Sequence, residues 1–206
     1  MGRYIGPSCK KCRRSREKLF LKGEKCFTAK CPLEKRNYPP GLRSGRPAKS
    51  SEYGRRLREK QKLRFFYGLS ENQMRRAFRK ASNQRGVTGH NLLSLFERRM
   101  DNVVYRIGLA RSRKEARQLI KHGHFVLNER PVNVPSIVLG QDDVMKIGEG
   151  ALKIFKDSLE GMKEKSAPEW LSFNLSTHEA SVLDFPSRES IDVPVDEQLI
   201  VEYYSK

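Results

Sequence analysis

Charge distribution constrains this chain more than any other feature. Over the first 90 residues, 26 Lys and Arg stand against 6 Asp and Glu, a surplus of +20 in a chain whose total is +18. A solvated helix face ordinarily mixes signs. A stretch this one-sided repels itself unless a polyanion neutralises it. The surplus then ends: residues 91–147 carry 10 bases and 6 acids, and residues 148–206 carry 6 and 12. The first half is therefore expected to meet the polyanion, and the last segment to turn away from it.

Nucleic acid and an acidic membrane surface both fit a pI near 10.0. A membrane partner would want a broad apolar helix face or a lipid signal, and neither is evident. The opening Met1-Gly2-Arg3-Tyr4-Ile5-Gly6-Pro7 has no apolar core and no cleavage pattern, and no apolar run is long enough to span. Gly2 resembles an acylation start, but Gly6 stands where Ser or Thr is required. Asn174-Leu175-Ser176 matches a glycosylation acceptor, which means little without a secretory signal. The expectation is a cytoplasmic protein with no membrane partner.

Residues 1–36 form a Lys-rich segment with little periodicity, closed by the turn Tyr38-Pro39-Pro40-Gly41 and a linker over 42–49. From Ser50 or Ser51 as N-cap the pattern predicts a helix to about residue 67, where Gly68 stops it. Its apolar members Tyr53, Leu57, Leu63 and Phe66 are interleaved with Arg55, Arg56, Arg58, Lys60, Lys62 and Arg64. Ser70 and Gln73 have capping-box spacing and open a helix over 71–84, with Met74, Phe78 and Ala81 inward and Arg75, Arg76, Arg79 and Lys80 outward. One helix is predicted over 92–107. Ser112 and Glu115 make a second capping box, and the short helix they open ends at Gly123. Phe125-Val126-Leu127, Asn128-Glu129-Arg130 and Pro131-Val132-Asn133-Val134 read as strand, turn and strand. A strand over 144–147, a helix with Leu152, Phe155, Leu159 and Met162 inward, strands over 170–175 and 181–185, and a last helix capped by Asp196 complete the chain.

All four cysteines lie within 31 residues: Cys9-x2-Cys12, then Cys26-x4-Cys31. Two such pairs can close a tetrahedron of thiolates around one Zn²⁺, and a segment too short and polar to build a core is sensibly ordered by a metal. Two disulfides fit poorly with a cytoplasmic location, and four inert thiols fit poorly with a polar segment. An iron–sulfur cluster is the alternative. With no His or water in the set, the expected zinc site is closed and structural. Lys10, Lys11, Arg13 and Arg14 beside it offset the thiolate charge and can face phosphate.

Leu95-Phe96-Glu97-Arg98-Arg99-Met100-Asp101-Asn102-Val103-Val104-Tyr105-Arg106, with Ala110-Arg111-Ser112-Arg113 and Gln118-Leu119-Ile120-Lys121-His122-Gly123-His124, closely resembles the RNA-binding module named after small-subunit ribosomal protein four. The opening heptapeptide, the cysteine set, Tyr38-Pro39-Pro40-Gly41, Leu57-Arg58-Glu59-Lys60-Gln61-Lys62-Leu63-Arg64 and the ending Glu197-Gln198-Leu199-Ile200-Val201-Glu202-Tyr203-Tyr204 are similar, in order and spacing, to the bacterial form of that family. The resemblance covers essentially the whole chain.

It implies an α+β chain in three parts. These are a zinc-binding segment over 1–45, a discontinuous all-α domain over 46–91 plus 186–206 that binds ribosomal RNA, and an inserted RNA-binding module over 92–185 with core 95–147. In that module helices pack on a small, mainly antiparallel sheet. It also implies a structural protein that binds 16S rRNA directly, nucleates subunit assembly and influences decoding accuracy near the path by which mRNA enters. Small-subunit proteins five and three are the implied neighbours, with no homo-oligomer in the subunit. Candidate RNA contacts are Arg3, Lys10, Lys11, Arg13, Arg14, Arg55, Arg58, Lys60, Lys62 and Arg64, then Arg111, Ser112, Arg113, Arg117, Gln118, Lys121 and His124 around the second module helix, whose N-terminal N–H groups could also hold a phosphate. Glu179, Asp184, Glu189, Asp192 and Glu202 are candidates for a protein interface, because acids facing phosphate would be repelled.

Two other functions compete. The module is also fused to pseudouridine synthases and to an aminoacyl-tRNA synthetase, but the fifty-odd residues beyond it are too few for a catalytic domain. No phosphate-loop or Gly-x-Ser-x-Gly motif is present, and His178-Glu179 lacks a second His three residues on. His90, His122, His124 and His178 read as surface or RNA contacts rather than bases. A zinc-dependent DNA-binding regulator fits the charge equally well, but no recognition-helix motif accompanies it.

Overall fold

The structure, a computed structural model, describes residues 4–41, 51–161 and 167–205. The linker over 42–49, Ser50, Met162 and Arg3 fall outside them. The chain divides into two units, Met1–Leu92 with Val193–Lys206 and Leu93–Asp192.

In the first unit the cysteine segment forms α1 (Ser8–Ser15), a 3-10 turn at Gly23–Cys26 and α2 (Pro32–Lys35). α3 (Glu52–Phe66) starts where Ser51 accepts from the Gly54 N–H, and α4 (Glu71–Ser82) starts on a complete capping box. Ser70 accepts from Gln73 N–H, and the Gln73 side chain accepts from Ser70 N–H at 3.0 Å. α9 (Glu197–Tyr204), capped by Asp196, returns to pack along α3. Leu63, Met74 and Ile200 are fully buried in this unit, and Phe66 and Tyr67 nearly so.

The predicted single helix over 92–107 is two helices, α5 (Thr88–Glu97) and α6 (Met100–Ile107). The break has a cause outside the local pattern: Arg99 is extended and bridges Val138. The Met100 N–H donates to Ile137 O at 2.8 Å and the Leu139 N–H to Arg98 O at 2.9 Å. A passing extended segment thus takes the hydrogen bonds that would have continued the helix.

α7 (Arg113–Lys121) follows, and then, among the described residues, five short strands: β1 (Phe125–Leu127), β2 (Arg130–Val132), β3 (Val144–Ile147), β4 (Leu171–Asn174) and β5 (Glu179–Val182). All pair antiparallel in the order β2-β1-β3-β5-β4. Phe125 sits opposite Ile147 and Met145 opposite Ala180, so one face is apolar and packs with Val103, Val104, Ile107, Ala116 and Ile120 of the helices. Phe155 of α8 (Leu152–Gly161) joins that core. The last strand starts two residues and ends three residues earlier than expected, because its hairpin turns at His178, whose φ is 55°. Leu183 and Phe185, expected within that strand, are exposed instead.

Candidate nucleic-acid interface

In the cysteine segment Cys12, Cys26 and Cys31 are buried and Cys9 is half-buried, all as free thiols. Burial raises the Cys12 thiol above its ordinary value; the Leu19 N–H pulls it down, and Cys26, Cys9 and Cys31 each push it up again, so the four sulfurs are electrostatic neighbours. The Lys22 N–H donates to Cys26 Sγ at 3.4 Å. Among the described residues no three His, Cys, Asp or Glu side chains converge tightly enough to hold a metal as placed. The donor chemistry fits zinc, with four thiols and backbone N–H groups directed at two of them.

Lys10 and Arg14 project from α1 into solvent. Lys11 is held between the Tyr4 and Phe65 rings, 3.7 and 4.4 Å from their centroids. Arg13 lies over Tyr38 and donates to the Tyr38 carbonyl at 3.0 Å. On α3, Arg55 and Arg58 are exposed.

Lys60 and Lys62 require a correction. Lys60 is 3% exposed and donates to both Glu71 carboxylate oxygens at 3.0 Å. Lys62 is 7% exposed and sits between Glu17 and Glu59, 2.9 Å from each. Burial alone would lower Lys62, but the bonds it donates to Glu59 and Glu17 hold it above the usual lysine value. At 3% and 7% exposure these two ammonium groups are enclosed as internal ties, with almost no surface left to offer a phosphate. Arg64 also leans on Glu71, at 3.3 Å.

The helix α4 carries a basic face that was absent from the expected contacts: Arg75, Arg76, Arg79 and Lys80 are all exposed. The signal was present, since these four form the polar stripe of a strongly amphipathic helix. A groove of about 720 Å³ runs beside them, lined by Arg56, Arg75 and Arg79 with Tyr53, Phe78 and Tyr204.

In the second unit, Arg111, Gln118 and Lys121 are exposed around α7, while Arg113 and Arg117 are half-buried. Beneath them is a polar network that sequence reasoning missed. Asp101, 2% exposed, accepts from Arg99 at 3.0 and 2.9 Å and from Arg117 at 3.0 and 2.5 Å. Glu97, 1% exposed, accepts from Arg106 at 2.8 and 3.0 Å and from the Asn102 amide at 2.8 Å. Asn102 Oδ1 in turn accepts from Arg113 at 2.7 Å. Two acids on apolar-patterned helices were the available signal.

The start of α7 is less open to an anion than expected. Ser112 accepts from the Glu115 N–H, and the Glu115 carboxylate takes the Arg111 N–H at 2.7 Å, placing an acid where a phosphate would sit. His124 is half-buried, its ring nearly perpendicular to that of Phe155 with 6.4 Å between centroids.

The acidic candidates are scattered. Glu202 is tied to Arg56 at 2.7 Å and Glu179 to Lys146, so both already have a basic partner within their own unit. Asp184 accepts from the Phe185 N–H, and Glu189 and Asp192 are exposed. No helix among the described residues is long and apolar enough to cross a membrane.

Residues 3–97 match the family described as ribosomal protein S4/S9 N-terminal domain, and residues 98–144 match the S4 domain. The chain is 50% identical, over the whole of both chains, to small ribosomal subunit protein uS4 of Geotalea uraniireducens and of Halothermothrix orenii. It is 53% identical, again over both full lengths, to small ribosomal subunit protein uS4 of Geobacter metallireducens.

Proposed function

Since the chain belongs to the uS4 family of small-subunit ribosomal proteins, we propose that it binds 16S rRNA directly through the basic surfaces of both units, nucleating subunit assembly. It is a structural constituent of the small subunit in the cytoplasm and not an enzyme. The observation that carries the RNA reading is α7, where exposed Arg111, Gln118 and Lys121 flank Arg113 and Arg117. α1 and α4 add exposed Lys10, Arg14, Arg75, Arg76, Arg79 and Lys80. Each such side chain that reaches a phosphate releases a counterion and fixes register.

The finer reading follows the same chemistry. Proteins five and three are the neighbours, with the exposed acids Asp184, Glu189 and Asp192 toward a basic protein, and mRNA passes close by, where the chain contributes to accuracy. One structural Zn²⁺ on Cys9, Cys12, Cys26 and Cys31 would cross-link the N-terminal segment. Subunit reconstitution with and without this chain tests the assembly role. Particles that form at the same rate and sediment identically when it is omitted would contradict it.

A further inference from the structure

Building on the RNA reading of α7, we propose that Asp101 and Glu97 are positioning residues for RNA recognition: buried carboxylates that hold Arg117 and Arg113 in the orientation that meets phosphate. Neither acid can touch RNA itself, being 2% and 1% exposed. Asp101 Oδ2, on α6, accepts from both Nε and Nη2 of Arg117, which restricts the guanidinium orientation. Glu97 works through a relay. Its carboxylate and its backbone carbonyl both accept from the Asn102 amide nitrogen, so the Asn102 oxygen must face Arg113. Arg113 and Arg117 are one turn apart on α7, so the two anchors set neighbouring guanidinium groups on one face.

A buried ion-pair network is a poor stabiliser compared with apolar packing of similar volume. It does remove the rotamer freedom that long side chains would otherwise lose on binding. The network therefore serves as preorganisation for a ligand rather than as core.

The test exploits opposite signs. In the full chain, Asp101→Asn removes a negative charge near a polyanion, which by charge alone tightens binding. Positioning predicts that affinity for folded 16S rRNA weakens about tenfold or more, the scale of one charge-assisted hydrogen bond. Measurement well below the unfolding midpoint keeps stability out of the result. Arg117→Lys keeps the charge but loses the fork; it should weaken binding too, and add little on top of Asp101→Asn because the pair acts as a unit. Binding by Asp101→Asn that is as tight as the parent or tighter, or additive losses, overturns the proposal. Should Asp101→Asn fail to fold, Arg117→Lys decides alone, and unchanged affinity overturns it. Arg111→Ala with Lys121→Ala separates the two readings: no loss there removes the RNA role of α7 itself, whereas loss there with none in Asp101→Asn removes only the positioning.

Discussion

Arg58 and Lys60 are two positions apart on α3, both basic and both in one polar run, yet one is exposed and the other is 3% exposed. Composition cannot separate them; what does is Glu71, on the next helix. Burial raises the Glu71 carboxyl, but Lys60, the Tyr204 hydroxyl and Arg64 outweigh it and hold the group below the usual carboxylate value. A depressed acid stabilises above its unfolded pKa and loses that contribution as pH falls through the folded value. Glu71→Gln is thus expected to lower stability at neutral pH and to flatten the acid limb of a pH–unfolding profile below about pH 5. An acid limb identical to the parent's would contradict this. At the cysteines, zinc analysis of protein purified without added metal should find about one ion, lost in Cys9→Ser Cys12→Ser. Equal zinc in both would remove the site, and iron with visible absorbance would redirect it to a cluster.

Among the elements, those with local signals were legible, and those shaped by a distant segment were not. The α4 capping box, the β1–β2 hairpin and the Asp196 cap all follow from a few neighbouring residues. The α5–α6 break depends on residues 135–139, some forty positions away, so no window on the helix could reveal it. The hairpin also carries a testable strain. Asn128 and Glu129 both have positive φ, 45° and 66°, the pattern of a primed turn that favours Asn-Gly. Glu129→Gly should stabilise the second unit by about 0.5–1 kcal/mol, read as a higher denaturant midpoint. A lower midpoint would mean that the left-handed residue carries no strain. In the first unit the return of α9 is a packing element as much as an ending. Ile200→Ala should cost about 2–5 kcal/mol, since Ile200 is fully buried. A loss under about 1 kcal/mol would mean that α9 is only loosely laid on α3.

For the whole molecule, charge asymmetry and the family resemblance made the function class legible, while the buried scaffold of the interface was not. Bases that hold the structure together and bases that meet RNA look alike in a sequence. In the first unit Glu59 and Glu71 enclose Lys62 and Lys60 as internal ties, whereas in the second Asp101 and Asn102 hold Arg117 and Arg113, which stay only half-buried. The two kinds should respond differently to mutation. Arg55→Ala with Arg58→Ala should leave folding intact and flatten the log–log salt dependence of RNA binding by roughly 0.7–0.9 for each phosphate no longer neutralised. Lys62→Ala should instead destabilise the fold. Recognition of folded ribosomal RNA by this chain can be read from one salt titration. Binding to folded 16S rRNA and to duplex DNA would be measured side by side across the same ionic strengths. Both affinities should fall steeply with salt, while the RNA stays far tighter than the DNA at every concentration. Equal affinity for RNA and DNA throughout the titration would overturn selective RNA recognition.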